Sequence, residues 1–235
     1  MAKIIGICGS PRSGATEYSL KRALASAEKI SGIETELILL KDKKIHRCVH
    51  CNRCAESETP LPNYCIFDDG MKGVIDRFVT ADGIIIATPV YEMSVTGLVK
   101  DFMDRLRSFI FESVHRKQNA FINMPVVGGG IAIGGTRNGG QETTLATIVN
   151  FFLTYEILAT GGPGGNYLGA AVWSQDRKAE GAEEDTIGMG RVDGLGKRIA
   201  ELALVLEAGR NALVEKGITL SWTKGAWAPG TYLEV

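Results

Sequence analysis

The sequence predicts an α/β protein: a doubly wound, five-stranded parallel sheet in strand order 2-1-3-4-5, with a cysteine-rich loop inserted after the second strand. Three observations predict it. Short β-branched runs alternate with helical stretches along the chain. Most of these runs end in turns rich in glycine, serine or threonine. Four of the five cysteines crowd between the second run and the third.

The elements follow in order. "KIIGICG" (3–9) is a short apolar run ending in a turn, as a buried parallel strand requires. Residues 16–30 place Leu20, Ala23, Leu24, Ala27 and Ile30 on one helical face. "ETELILL" (34–40) is the second strand, and the cysteine loop (44–68) interrupts before a short helix at "MKGVIDRFVTA". "GIIIATP" (83–89) is the third strand, "TGLVKDFMDRLRSFIF" (96–111) a helix, and "PVVGGGIAIGG" (125–135) contains the fourth strand. Residues 141–158 read as a helix apolar nearly all round, which predicts burial on both sides or against another subunit. "NYLGAAVW" (166–173) is the fifth strand, the acidic stretch 174–190 reads as a polar surface loop, and a final helix spans 192–215.

With 235 residues and 45% hydrophobic content, the chain is long enough for one core, so residues 1–235 are expected to form a single domain. Lys and Arg total 26 against 27 Asp and Glu, without the basic excess that marks nucleic-acid binders. No apolar run reaches the ~18 residues that span a bilayer. The N-terminal "MAKIIGICGS" lacks the pattern of a signal peptide, so the expected location is cytoplasmic. Thiols there stay reduced, and a tight cysteine group is then a metal site before it is a disulfide framework.

In a doubly wound sheet, ligands bind beyond the carboxyl ends of the strands where the winding reverses. Three turns lie there. "GSPRSGAT" (9–16) joins a strand to a helix start and offers the hydroxyls of Ser10, Ser13 and Thr16 with the guanidinium of Arg12. It suits a single phosphate, although a polar helix cap reads similarly. It is neither G-x-x-x-x-G-K-[ST] nor G-x-G-x-x-G, which argues against a nucleotide triphosphate or a dinucleotide on this loop. "TPVYEMSVTGLVKDFMDR" (88–105) offers Tyr91 to stack on a flat ring, and Ser94, Thr96 and Gly97 before the next helix. "IGGTRNGGQET" (133–143) flanks Thr136 and Arg137 with glycine pairs that permit close backbone approach. Together these loops describe a pocket for a flat ring with a phosphorylated tail, which FMN fits.

These three segments resemble the flavin-binding segments of the NAD(P)H-dependent FMN reductase superfamily. With "CVHCNRC…C" between strands 2 and 3, the chain is similar to the iron–sulfur flavoproteins. The resemblance covers residues 3–158 in order. It implies a flavodoxin-like fold, noncovalent FMN, a [4Fe–4S] cluster in each subunit and assembly into a homodimer or homotetramer. It also implies one-electron exchange with a ferredoxin-like donor. By position, Ser10, Arg12, Ser13, Gly14, Ala15 and Thr16 would surround the FMN phosphate. Pro89, Val90, Tyr91, Ser94, Thr96 and Gly97 would line the ring and ribityl chain. Gly134, Gly135, Thr136, Gly139 and Gly140 would face the ring edge, with Arg137 adding charge there or standing in solvent.

The cysteine spacing is C-x2-C-x2-C-x10-C: Cys48, Cys51, Cys54 and Cys65. Three thiolates in one tight loop can reach three corners of a cubane cluster, and a more distant cysteine supplies the fourth. Structural zinc more often uses two separate C-x2-C pairs, but His46 and His50 keep zinc open. The ten-residue gap is longer than the family pattern, which puts Cys65 in doubt as a ligand. Cys8 lies in the first strand and reads as core. No side chain, His115 included, stands out as a general acid or base, and flavin redox chemistry needs none. The leading expectation is an FMN-dependent oxidoreductase passing electrons between a one-electron donor, the cluster and FMN, toward a small-molecule or protein acceptor. The alternative is an NAD(P)H-dependent FMN or quinone reductase whose cysteine loop is structural, holding zinc or no metal. A metal-stabilised binding module without redox turnover is the non-enzymatic reading.

Overall fold

The computed structural model describes residues 1–55, 65–108 and 126–218. Among these, six strands form one sheet: β1 (Ala2–Cys8), β2 (Ile33–Leu39), β3 (Gly83–Pro89), β4 (Val127–Gly134), β5 (Leu158–Ala159) and β6 (Ala170–Trp173). Every pairing is parallel, in the order β2-β1-β3-β4-β5, with β6 also on β4. The predicted order 2-1-3-4-5 is therefore observed, with its last place shared. β5 pairs with the start of β4 (Val127↔Leu158), and β6 with its end (Ile131↔Ala170 to Gly134↔Trp173).

Alternation along the central strands sends side chains to both faces. Ile5, Ile7, Ile84 and Ile86 pack with α2 (Met71–Phe78), α3 (Gly97–Arg105) and α4 (Gln141–Thr154). Ile4, Cys8, Ile85 and Ala87 pack with α1 (Ala15–Glu28) and with the long C-terminal helix α6 (Thr186–Glu215). Phe78, Phe102, Phe151 and Tyr155 form a connected ring cluster on the first face. The glycine run inside β4 lets helices close on both faces: a Cβ at Gly128 would lie 2.9 Å from Phe152 of α4, and one at Gly129 2.8 Å from Leu195 of α6. No helix among the described residues is long and apolar enough to cross a membrane.

Four expected boundaries move. The stretch 174–190 is not a surface loop. It folds into α5 (Lys178–Glu184) and the first turn of α6. Gly181 and Ala182 are buried, and Asp185 caps α6 by accepting from the Gly188 N–H at 3.0 Å. The last helix thus begins at Thr186 rather than 192. The fifth strand starts at Ala170 instead of 166, because Asn166 is buried with its amide on the Arg191 carbonyl and Gly169 turns the chain at φ 147. The helix expected over 141–158 stops at Thr154 and leaves Leu153 62% exposed, so its apolar surface is not wholly covered within one chain. The distal part of the helix expected over 96–111, His115 and the proline-containing gap before Cys65 lie outside the described residues.

Candidate cofactor sites

The loops after β1, β3 and β4 meet over the carboxyl ends of the strands. Gly9 is the first hinge of this arrangement. Its N–H donates to the Ala87 carbonyl at 2.8 Å, and a Cβ there would lie 2.0 Å from Val99 of α3. No side chain fits. Thr96 locks the same contact from the other side. Its hydroxyl donates to the Gly9 carbonyl at 2.7 Å and caps α3 by accepting from Val99 N–H. Thr96, read as a ring-lining residue, is thus 2% exposed and spent on joining two loops.

Beyond Gly9, Ser10, Arg12, Gly14, Ala15 and Thr16 line an open recess of roughly 550 Å3. Gly14 precedes α1 without any side-chain cap, so the first-turn N–H groups face the recess unclaimed by a capping side chain. Ser13 turns away. Its hydroxyl accepts from the Lys41 ammonium at 2.5 Å, and Lys41 also pairs with Glu17 at 3.0 Å. The hydrogen bond from Lys21, helped by Lys41 and Ser13 against the cost of burial, holds the Glu17 carboxyl down at about 2. This network ties the first loop to the start of the cysteine segment.

Pro89, Val90 and Tyr91 form the second wall. Val90 N–H donates to the Ile133 carbonyl at 2.9 Å. Tyr91 and Ser94 exchange backbone hydrogen bonds at 3.0 and 2.9 Å around a two-residue turn, Glu92–Met93, held at φ 48 and 60. The turn leaves the Tyr91 ring 45% exposed beside the recess.

Gly135 and Ile133 supply the third wall. The loop that follows is shaped by Gln141, which is 2% exposed. Its amide donates to the Thr136 carbonyl at 2.7 Å and accepts from Gly139 N–H at 2.8 Å. Gly140 precedes α4 at φ 98, and the Thr143 hydroxyl donates to the Met93 carbonyl at 2.8 Å. Gly134, Thr136, Gly139 and Gly140 therefore build the loop around the recess without touching the cavity itself. Ser94, Gly97 and Arg137 stand in the same relation. The Arg137 guanidinium lies 4.3 Å over the Trp173 ring, whose indole N–H donates to the Gly135 carbonyl at 2.9 Å.

A fourth wall comes from a stretch whose polarity in the sequence gives no sign of it: Ser174, Asp176 and Lys178, at the end of β6 and the start of α5. Ser174 donates to the Gly134 carbonyl from both N–H and hydroxyl, and Gln175, Asp176 and Lys178 all take φ above 50. Lys178 brings a second cation beside Gly14, where a Cβ would lie 3.8 Å from its own. Two cations, several hydroxyls and an uncapped helix start fit a phosphate, and the exposed Tyr91 fits a ring at the other end.

The four clustered cysteines line a second, shallow recess together with Phe67 and the C-terminal end of α3. His50 and Asn52 adopt φ 52 and 60, bending the chain into a 3₁₀ turn at Arg53–Ala55. Cys8 stays in the core beneath β1. The base of the segment is clamped. Asp69 and Arg105, 4% and 3% exposed, form a bidentate pair at 2.7 and 3.0 Å. Asp69 also accepts from the N–H groups of His46 (2.8 Å) and Met71 (3.0 Å), and Arg105 donates to the His46 carbonyl at 2.8 Å. Burial alone would push the Asp69 carboxyl up. The bonds from Arg105, His46 and Met71 outweigh it and hold the group below its ordinary value. Phe67 stacks on His46 at 4.8 Å and lies under the Arg105 guanidinium at 5.3 Å. Four thiols around one recess suit a cluster, as does the buried Arg105 Nε–H, which lacks a partner among the described residues. Among the described residues no three His, Cys, Asp or Glu side chains stand close enough to hold a single metal ion.

The sequence model of the NADPH-dependent FMN reductase family matches residues 2–162. An iron–sulfur flavoprotein of Methanocaldococcus jannaschii is 40% identical over 188 residues, 80% of this chain and 89% of that protein. A second from the same organism is 36% identical over 87% of this chain and 99% of its own length. Among solved structures, RosB, crystallised with bound 8-demethyl-8-formylriboflavin-5'-phosphate, superposes with a TM-score of 0.62 at 18% identity, covering 92% of this chain and 88% of that one. The fold is flavodoxin-like, and the family match makes the chain an FMN-dependent oxidoreductase. The chain belongs to the NADPH-dependent FMN reductase family and, within it, to the iron–sulfur flavoproteins.

Proposed function

We propose that this FMN-dependent oxidoreductase couples a one-electron carrier to flavin chemistry through a [4Fe–4S] cluster held by Cys48, Cys51, Cys54 and Cys65. The observation that carries this reading is that cysteines on both sides of residues 55–64 line one recess. The names of the relatives support it. When bound, the cluster supplies one-electron transfer, and FMN supplies interconversion between one-electron and hydride chemistry.

The chain's own residues bind and orient. Arg12, Lys178, the Ser10 and Thr16 hydroxyls and the α1 start hold the phosphate end. Tyr91 covers the ring, and Gln141 fixes the backbone of residues 136–139 before any ligand arrives. α3 links the two recesses: its first turn is locked to Gly9, and its last turn carries Arg105, about 12 Å further along the axis. Lys41, Lys43, Lys44, Arg47 and Arg53 stand against Asp42 alone between positions 41 and 55. That charge favours an acidic, ferredoxin-like donor at the cysteine recess. Exposed Leu153, Leu158 and Tyr167 support pairing of chains into a dimer or tetramer.

Anaerobic purification followed by iron, acid-labile sulfide, zinc and flavin assays tests the reading. It requires about four irons, about four sulfides and one FMN per chain. Zinc without sulfide would instead support an NAD(P)H-dependent reductase with a structural cysteine loop.

A further inference from the structure

The Arg105 guanidinium is nearly saturated. Nη1 and Nη2 are taken by Asp69 and by the His46 carbonyl, in a site 3% exposed. The Nε atom has no partner among the described residues, although an unpaired buried donor costs about 1–3 kcal/mol. The same residue lines the recess of the four cysteines. The donor is also immobile: the fork on Asp69 and the Phe67 ring beneath it fix the plane of the guanidinium.

The geometry points to Arg105 Nε–H as a hydrogen-bond donor to a sulfur of the cluster, which makes Arg105 a residue that sets the cluster's reduction potential. The inference rests on the cluster reading above. A donor to sulfur stabilises the more negative, reduced cluster more than the oxidised one, so it raises the potential. Asp69 serves this indirectly. It engages both terminal nitrogens, while the internal nitrogen has no partner among the described residues.

The test uses the anaerobically purified holoprotein, with iron and sulfide counted in every sample. In protein labelled with 15N-arginine, pulsed EPR of the reduced cluster is expected to show a nitrogen coupling that disappears in Arg105→Lys. In a redox titration the same variant is expected to lose about tenfold in the reduction equilibrium constant, ~59 mV toward lower potential for one electron. Asp69→Asn, which keeps the Nε donor, retains the coupling. If Arg105→Lys loads incompletely, Arg107→Lys, which removes the other arginine of the recess, decides: the coupling persists in it. A fully loaded wild type without the coupling, or a loaded Arg105→Lys at unchanged potential, overturns this inference and leaves the cluster standing. A wild type that carries zinc without sulfide overturns both.

Discussion

Arg105 and Asp69, 36 positions apart, form a buried two-point ion pair that closes the base of the cysteine segment against α3. Asp69 also binds the His46 backbone, so the pair holds both flanks of the segment, 46 and 69, to one helix. Cutting a buried pair by removing one partner strands the other charge. Asp69→Ala is therefore expected to cost about 3–5 kcal/mol of unfolding free energy in the metal-free protein. Denaturant titration measures it. A loss below about 1 kcal/mol would mean that the pair is not a clamp.

Arg12 and Lys178 line the end of the first recess proposed for the phosphate. Each charge-assisted hydrogen bond is worth about 1.5–3 kcal/mol, or roughly tenfold to a hundredfold in affinity. Arg12→Ala and Lys178→Ala should each weaken FMN by that factor while leaving riboflavin binding nearly unchanged. Fluorescence titration with both ligands separates the outcomes. An equal loss for both ligands would move these residues away from the phosphate.

Gln141 shapes the third loop through two hydrogen bonds to the backbone. Gln141→Ala leaves the Gly139 N–H and the Thr136 carbonyl without that partner, which costs about 1–3 kcal/mol. FMN and riboflavin should weaken together, about tenfold, because the loop lies at the ring end. Selective loss of FMN would contradict that placement.

Glu17 gives a pH signature. Its folded carboxyl is held at about 2, against an ordinary value of 4.5. A depressed value contributes stability that is complete above pH 4.5 and is lost as pH falls toward 2. The stability gap between wild type and Glu17→Gln should hence be constant above about pH 5 and shrink below 4.5. A gap that widens on acidification would reverse the sign.

Periodicity made the sheet legible, because Ile4, Ile5, Ile84 and Ile86 report a buried strand with no help from their partners. The cysteine spacing pointed to a single site, and its four members do line one recess. Other features depend on distant contacts. Asp69 and Arg105 read as ordinary charges until the fold apposes them. Gln141 reads as a helix start, and only its 2% exposure shows that it organises a loop. Residues 174–178 were hidden by polarity: an acidic stretch looks solvated, while the signal for α5 is only a buried Gly181 and Ala182. Thr96 erred in the opposite direction, since a hydroxyl in a ligand loop is equally suited to join two loops.

The central claim is that the cysteine recess is the route by which one-electron carriers reach the flavin. It is tested most directly by anaerobic stopped-flow mixing with reduced ferredoxin, following flavin absorbance in wild type and in Cys51→Ser that retains FMN. The account predicts rapid flavin bleaching in the cluster-loaded wild type and loss of that phase in the cluster-free variant. Bleaching at an unchanged rate in Cys51→Ser would contradict it.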